Sequence, residues 1–217
     1  MNLVILGPPG AGKGTQAARL SEVFSLRHLS SGDVLRAERK KGSALGGRVA
    51  KYMDAGELVP DGIIVEVILT QLQDSGGSKG VLLDGFPRTR AQATSLDKVL
   101  SGASRRVDLV LSLTVPDELI VDRITGRRIC PTCDAVYHVR ALPPAERGVC
   151  DHDGTPLIHR TDDTEAVVKQ RLTAYYEQTS PLEAYYREKG ILVEVDGTKD
   201  VDGVLEALSA AIRSRLG

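Results

Sequence analysis

The 217-residue sequence predicts an α/β fold, a parallel sheet flanked by helices, on three observations. Short apolar runs recur at Asn2–Leu6, Gly80–Gly85, Val107–Val115 and Ile191–Val195. Helical periodicity fills much of the chain between them, the alternation of a parallel sheet whose strands are buried on both faces. The first run passes through a glycine-rich loop straight into a helical pattern. Two segments, near 30–60 and 128–160, break the alternation and read as insertions.

Hydrophobic residues make up 41% and charged residues 26%, the balance of a globular protein, and the length suits one domain with insertions. A formal net charge of -1 supplies no global basic field, so neither nucleic acid nor a membrane surface is an expected partner. A phosphate site must then be built from locally gathered cations. No apolar run approaches the ~20 residues needed to span a bilayer. The first run lacks a basic lead-in and continues into the glycine loop, so it is expected to be a core strand rather than a secretion signal. The three cysteines are odd in number and lie within 130–150, which fits a metal site in a reducing, cytoplasmic compartment better than a disulfide framework.

The elements follow in order. After strand Asn2–Leu6 comes Gly7-Pro8-Pro9-Gly10-Ala11-Gly12-Lys13-Gly14-Thr15, then a helix through Gln16, Leu20 and Phe24. Glycines let backbone N–H groups turn inward around a phosphate, and the helix N-terminus adds partial positive charge. Lys13 is expected to reach the outer phosphates. Gly14 stands where a phosphate loop of this type usually carries Ser or Thr, so either Thr15 supplies a hydroxyl for magnesium or the ion is held by phosphates and water. The bland alternative, a glycine turn beside a surface lysine, does not account for the buried strand in front of it. His28-Leu29-Ser30 reads as a short strand. Helices are expected from Ser30-Ser31-Gly32-Asp33, from Ser43 to Ala55, and from Pro60-Asp61 with Ile64, Val65, Ile68, Leu69 and Leu72 on one face, ending at Gly76-Gly77. The strand Gly80–Gly85 leads through Pro87-Arg88 into a helix bearing Gln92 and Leu96. Strand Val107–Val115 precedes a helix opened by Pro116-Asp117, with Leu119, Arg123 and Arg127 along one face. Thr161–Glu165 starts a helix through Arg171, Leu172 and Tyr176. Pro181 interrupts and restarts it. Strand Ile191–Val195 and an amphipathic helix Val201–Leu216 end the pattern.

Three constellations carry chemistry. Asp84 ends an apolar strand, the place for a carboxylate that orients magnesium or its waters; its bland reading is a turn cap. Arg36, Arg88, Arg123, Arg127, Arg160 and Arg171 recur near element ends. Each alone reads as a solvated surface arginine, but together they exceed what one triphosphate uses and hint at two phosphorylated substrates. An acceptor phosphate is already ionised near neutral pH, so no general base is needed, and no catalytic His or nucleophile stands out. Cys130-Pro131-Thr132-Cys133 and Cys150-Asp151-His152-Asp153 have the spacing of a closed, structural tetrahedral zinc site. Cys130, Cys133, Cys150 and Asp153 are the expected ligands, with His152 as the competing fourth.

Gly7–Thr15, Ser30–Arg36, Asp84–Thr89 and Asp122–Arg128 together resemble adenylate kinase, and the likeness runs essentially end to end, in the long-lidded bacterial form with a zinc-binding lid. Gly14 after the lysine is that family's own spelling. The resemblance implies a P-loop NTPase-type core at 1–29, 60–125 and 164–217, an AMP-binding subdomain at 30–59 and a lid at 126–163. It implies reversible phosphoryl transfer from Mg-ATP to AMP giving two ADP, in nucleotide salvage and energy homeostasis, by a monomer. By it, ATP is held by Gly10, Ala11, Gly12, Lys13, Gly14, Thr15, Arg123, Arg127, the Val136-Tyr137 backbone and Lys199. AMP is held by Ser31, Arg36, Glu57, Leu58, Val59, Gly85, Arg88 and Gln92, with Arg160 and Arg171 bridging both sets of phosphates. Lys13, Arg88, Arg123, Arg160 and Arg171 are the implied catalytic cations, and Asp162 and Asp163 lie at the lid edge. Ser31 stands where threonine is common and keeps the hydroxyl. Two other readings remain in play: a relative with GTP as donor or another monophosphate as acceptor, and a zinc-ribbon nucleic-acid-binding ATPase, which aromatics at 4% and the near-zero net charge disfavour.

Overall fold

The computed structural model describes residues 1–73 and 80–217, and the expected helix end at Gly76-Gly77 lies outside them. Five strands, β1 (Asn2–Leu6), β2 (Arg27–Ser30), β3 (Val81–Asp84), β4 (Leu109–Thr114) and β7 (Leu192–Asp196), form one sheet in the order β2-β3-β1-β4-β7. All neighbours are parallel. Each expected strand is present, β1 with the expected bounds and the others with ends moved by no more than two residues. The sheet is wrapped on both faces, and the alternation of side chains shows how. Leu3 and Ile5 of β1 pack with α1 (Lys13–Phe24), α6 (Asp117–Thr125), α7 (Glu165–Ala174) and α9 (Val201–Leu216). Val4 and Leu6 pack with α4 (Asp61–Gln73), α5 (Arg90–Gly102) and α8 (Pro181–Glu188) on the other face. Near-continuous apolarity in β1, β3 and β4 therefore serves two cores at once, each fully buried leucine contributing about 1.5–3 kcal/mol.

Two helices, α2 (Ser31–Lys40) and α3 (Ala44–Ala55), make the first insertion. Ser30 and Ser43 cap them by accepting from the N–H groups of Asp33 and Gly46. The second insertion departs from the helical expectation at its entrance. Arg127 does not continue the face of α6. The helix stops at Thr125, Gly126 follows, and Arg127 begins β5 (Arg127–Ile129), which pairs antiparallel with β6 (Val136–His138). The His138 imidazole packs over Gly126, where a side chain would put its Cβ 2.1 Å from Nε2, so only glycine fits at this junction. The helix from Glu165 also hides a feature that periodicity missed. Between α7 and α8 the stretch Tyr175–Thr179 widens into a π-turn, and Pro181 opens α8.

No helix of the described residues is long and apolar enough to cross a membrane. Leu111, in the central region of the sheet, is fully buried. Leu111→Ala is expected to cost about 2–5 kcal/mol of stability through the cavity it leaves, read as a lower urea midpoint at unchanged slope.

Candidate active site

The loop between β1 and α1 lies at the C-terminal end of the sheet, where a doubly wound fold binds ligands. Its lysine is turned inward. Lys13 Nζ donates to the carbonyls of Gly7 and Pro8, both at 2.7 Å, so the loop is curled around its own cation. Burial lowers the Lys13 ammonium to about 7; nearby Asp84 opposes the shift, and Arg88, Arg171 and Arg127 add to it. A phosphate arriving here would restore the charge.

Asp84 is 9% exposed at the tip of β3, with His28 Nε2 3.6 Å from its Oδ2. Position 14 backs directly on to it, since a Cβ there would stand 3.5 Å from the same oxygen. The carboxylate is thus held beside the phosphate loop, where it suits a magnesium ion or its water shell. Thr15 is exposed on α1.

Arginines converge on the same end. Gly85 has a left-handed backbone (φ 73°), and its carbonyl accepts from Ser31 Oγ at 2.6 Å and from Arg88 Nε at 2.7 Å. A Cβ at Gly85 would meet both donors, so only glycine serves there. Burial lowers the Arg88 guanidinium to about 10, with Arg171 adding to the effect and Asp84 opposing it. Arg160 is lowered to about 10, by burial first and then by Arg36 and Arg127. Two carboxylates hold this cluster together. Asp163 is fully buried and accepts from Arg127 Nε at 2.8 Å, while Asp162 pairs with Arg171 at 3.2 Å. Arg36 pairs with Asp33 one turn away on α2. Arg123 donates to the Gly197 carbonyl at 3.0 Å.

Two clefts open on these cations. One, of about 610 Å³, lies between the first insertion and the sheet and includes Ser31, Arg36, Leu58, Val59, Arg88 and Gln92 in its lining. The other, of about 500 Å³, includes Gly7, Pro9 and Lys13. They share Gly56, Leu58, Gly85, Arg88 and Arg171. Two pockets meeting at two arginines suit two phosphorylated ligands facing each other.

In the second insertion, the sulfurs of Cys130, Cys133 and Cys150 and a carboxylate oxygen of Asp153 all lie within 4.8 Å of one another. Cys133 Sγ is 3.6 Å from Cys150 Sγ, and Cys130 Sγ is 3.4 Å from Asp153 Oδ2. Tetrahedral zinc with ordinary bond lengths has edges of about 3.8 Å between sulfurs and about 3.5 Å between sulfur and oxygen, so this donor set fits zinc. His152 is exposed and takes no part in the cluster among the described residues.

The family model described as adenylate kinase matches residues 5–191. The chain belongs to the adenylate kinase family. The adenylate kinase of Archaeoglobus fulgidus is 49% identical over 212 residues, 98% of each chain. That of Clostridium botulinum (strain Loch Maree / Type A3) is 48% identical over 96% of this chain and 97% of its own. That of Oceanobacillus iheyensis is 45% identical over 99% and 100%. Membership makes the chain a nucleoside monophosphate kinase, an ATP:AMP phosphotransferase, and favours neither the GTP-donor reading nor the nucleic-acid-binding one.

Of the adenylate kinase residues expected at the AMP site, all but Arg160 line the larger cleft. The donor set is less gathered. Lys13 lines the smaller cleft, but Gly10, Ala11, Gly12, Gly14, Thr15, Arg123, Arg127, Val136, Tyr137 and Lys199 line neither. Val136 and Lys199 are exposed, and the Tyr137 side chain is turned into the cysteine cluster, its hydroxyl 3.5 Å from Cys150 Sγ, while its backbone pairs with Arg128 across the β5–β6 ladder. Sequence reasoning missed the pairing of Asp162 and Asp163 with the arginines, although two adjacent acids beside a basic segment were a signal. It also missed Tyr175 and Thr179, which line the smaller cleft from the π-turn.

Because the Lys13 ammonium sits near 7 without phosphate and rises when paired with one, Mg-ATP binding at pH 8 should take up as much as one proton, and less at pH 6 where the lysine is already charged. Calorimetry in buffers of different ionisation enthalpy reads the uptake, which Lys13→Met should remove.

Proposed function

We propose that ATP binds with its phosphates on the Gly10–Thr15 loop and AMP binds in the larger cleft, so that the γ-phosphoryl group passes directly to the AMP phosphate and two ADP result. The observation that carries this arrangement is the sharing of Arg88 and Arg171 by the two clefts. Phosphoryl transfer asks the protein for positioning and for positive charge around the transferring oxygens, rather than for covalent chemistry. Lys13 supplies charge from the donor side, Arg88 from the acceptor side, and Arg171 and Arg160 between them. Arg123 and Arg127 join from the edge of the second insertion. The acceptor is an ionised phosphate, so no base is assigned. Magnesium enters with ATP and neutralises phosphate charge; Asp84 is the residue that would hold its water shell. Water competes as acceptor, which gives the two insertions their role as closing walls over the substrates. Ser31, Arg36 and Gly85 are assigned to the AMP phosphate and its surroundings. Glu57, Leu58, Val59 and Gln92 are assigned to the adenine.

The lid is proposed to hold one structural zinc on Cys130, Cys133, Cys150 and Asp153. Among the described residues the buried cluster there is small, Cys130, Tyr137 and Cys150 with Ala135 and Leu157 against them, so coordination rather than a hydrophobic core orders the segment. A monomer in a reducing cytoplasm completes the reading.

A coupled assay of ADP formation from Mg-ATP with each monophosphate in turn should give AMP the highest kcat/KM. Lys13→Ala should lower kcat by about 100-fold or more at unchanged melting temperature, as expected for a lost transition-state cation. Retention of more than about a tenth of wild-type kcat would remove Lys13 from the chemistry. Metal analysis should find zinc lost from Cys150→Ser, with a lower melting temperature, and kept in His152→Ala. Zinc kept in Asp153→Ala but lost from His152→Ala would move the fourth ligand back by one residue.

A further inference from the structure

Gln92 is 2% exposed on the first turn of α5, and both ends of its amide are already engaged. Its Oε1 accepts from the backbone N–H of Arg88 at 2.7 Å, and its Nε2 donates to Oδ1 of Asp61 at 2.7 Å. Asp61 is the first residue of α4 and lines neither cleft. Its other oxygen accepts from Thr89 Oγ1 at 2.9 Å, and that hydroxyl in turn caps α5 by accepting from the Gln92 N–H at 3.2 Å. Asp61, Thr89 and Gln92 therefore close a small ring of hydrogen bonds that fixes the carboxylate as firmly as the amide.

We infer that Asp61 is a specificity-determining residue of the acceptor site, acting by locking which way round the Gln92 amide faces. The inference rests on the reading of Gln92 as the residue that contacts the base. A primary amide has two N–H donors and two lone pairs. With one of each committed, one donor and one acceptor remain for the cleft that Gln92 lines. Adenine offers an acceptor at N1 beside a donor at N6. A 6-oxopurine offers the reverse, a donor at N1 beside an acceptor at O6. An amide free to turn over by 180° pairs with either, so a glutamine alone does not discriminate between them. The Arg88 N–H can only donate and the Asp61 carboxylate, when ionised, can only accept, and these opposite demands sit at the two ends of one amide. A single orientation satisfies both. In the flipped one, N–H faces N–H and oxygen faces carboxylate. Asp61, 31 residues away in sequence, thus reinforces the Arg88 N–H in turning a residue that could read two bases into one that reads adenine.

The test compares kcat/KM for AMP and for IMP, with Mg-ATP as donor, in the full chain. IMP is chosen because it reverses the N1/C6 pattern without the extra 2-amino group of GMP. Asp61→Ala should lower the AMP:IMP ratio roughly tenfold, the scale on which losing one hydrogen bond shifts an equilibrium, with the change in KM for the monophosphate and none in KM for ATP. Asp61→Asn keeps an oxygen that accepts from Gln92 and should retain most of the selectivity. The double variant Asp61→Ala/Gln92→Leu should match Gln92→Leu alone, because Asp61 acts only through the amide. If melting curves show that Asp61→Ala does not fold, Asp61→Ser, too short to reach the amide, takes its place. Equal losses for AMP and IMP, or additive effects in the double variant, would reduce Asp61 to a structural role and overturn the inference. A ratio left unchanged by Gln92→Leu would instead overturn the reading of Gln92 as the base contact, and the inference with it.

Discussion

Like charges gathered for a phosphate repel one another until the phosphate arrives, and holding them together in its absence is the condition on which this site depends. Lys13, Arg88, Arg160 and Arg171 all have their acidity raised, with burial the largest cause in each. The fold answers with carboxylates on rigid elements: Asp84 at a strand tip, and Asp162 and Asp163 at the approach to α7. The fully buried Asp163 accepts from Arg127 and lies 3.9 Å from Arg171, so one carboxylate spans the second insertion and the core. A nucleotide entering the site meets cations that are already positioned and incompletely neutralised, which is the preorganisation that electrostatic catalysis requires.

The two insertions solve their own stability problems differently. The first lays α2 and α3 over the end of the sheet, and Leu35, Val49 and Val59 join one of the two main cores. It needs no other support. The second has only a small cluster around Cys130, Tyr137 and Cys150. A two-stranded ribbon with so little buried apolar surface is marginal by itself. The cysteine and aspartate knuckles bring residues twenty positions apart to within 4.8 Å of one another, a donor set through which a bound metal would cross-brace that ribbon.

Much of this was legible in the sequence because it is written locally. The strand–loop–helix of Asn2–Phe24, the run ending at Asp84 and the paired cysteine knuckles are each contiguous patterns whose chemistry follows from spacing. What escaped was either non-local or decided by a single contact. Nothing near Asp61 points to Gln92, and only the folded chain joins them. Arg127 carries the right spacing to extend α6, yet the helix ends at Thr125 and Arg127 pairs with His138 in the ribbon instead. The residues expected for ATP are spread over the glycine loop, α6, the second insertion and the β7–α9 turn. Most of the residues expected for AMP, by contrast, line one cleft.

The π-turn at Tyr175–Thr179 has a consequence for how this chain tolerates change. Val168 and Leu172 before it belong to one core, and Leu182 and Tyr186 after it belong to the other. The turn is where a nearly continuous helix transfers its apolar stripe from one face of the sheet to the opposite one. At 3.6 residues per turn, deleting one residue rotates everything downstream by about 100°, enough to turn α8's buried side chains out to solvent. Thr179 also donates to the Arg88 carbonyl at 2.9 Å, so the same slip would withdraw support from the arginine shared by both clefts. Length is therefore a constraint on this segment in its own right, beside the contacts of Tyr175 and Thr179: an exposed side chain such as Glu177 can be exchanged where a residue cannot be inserted or deleted.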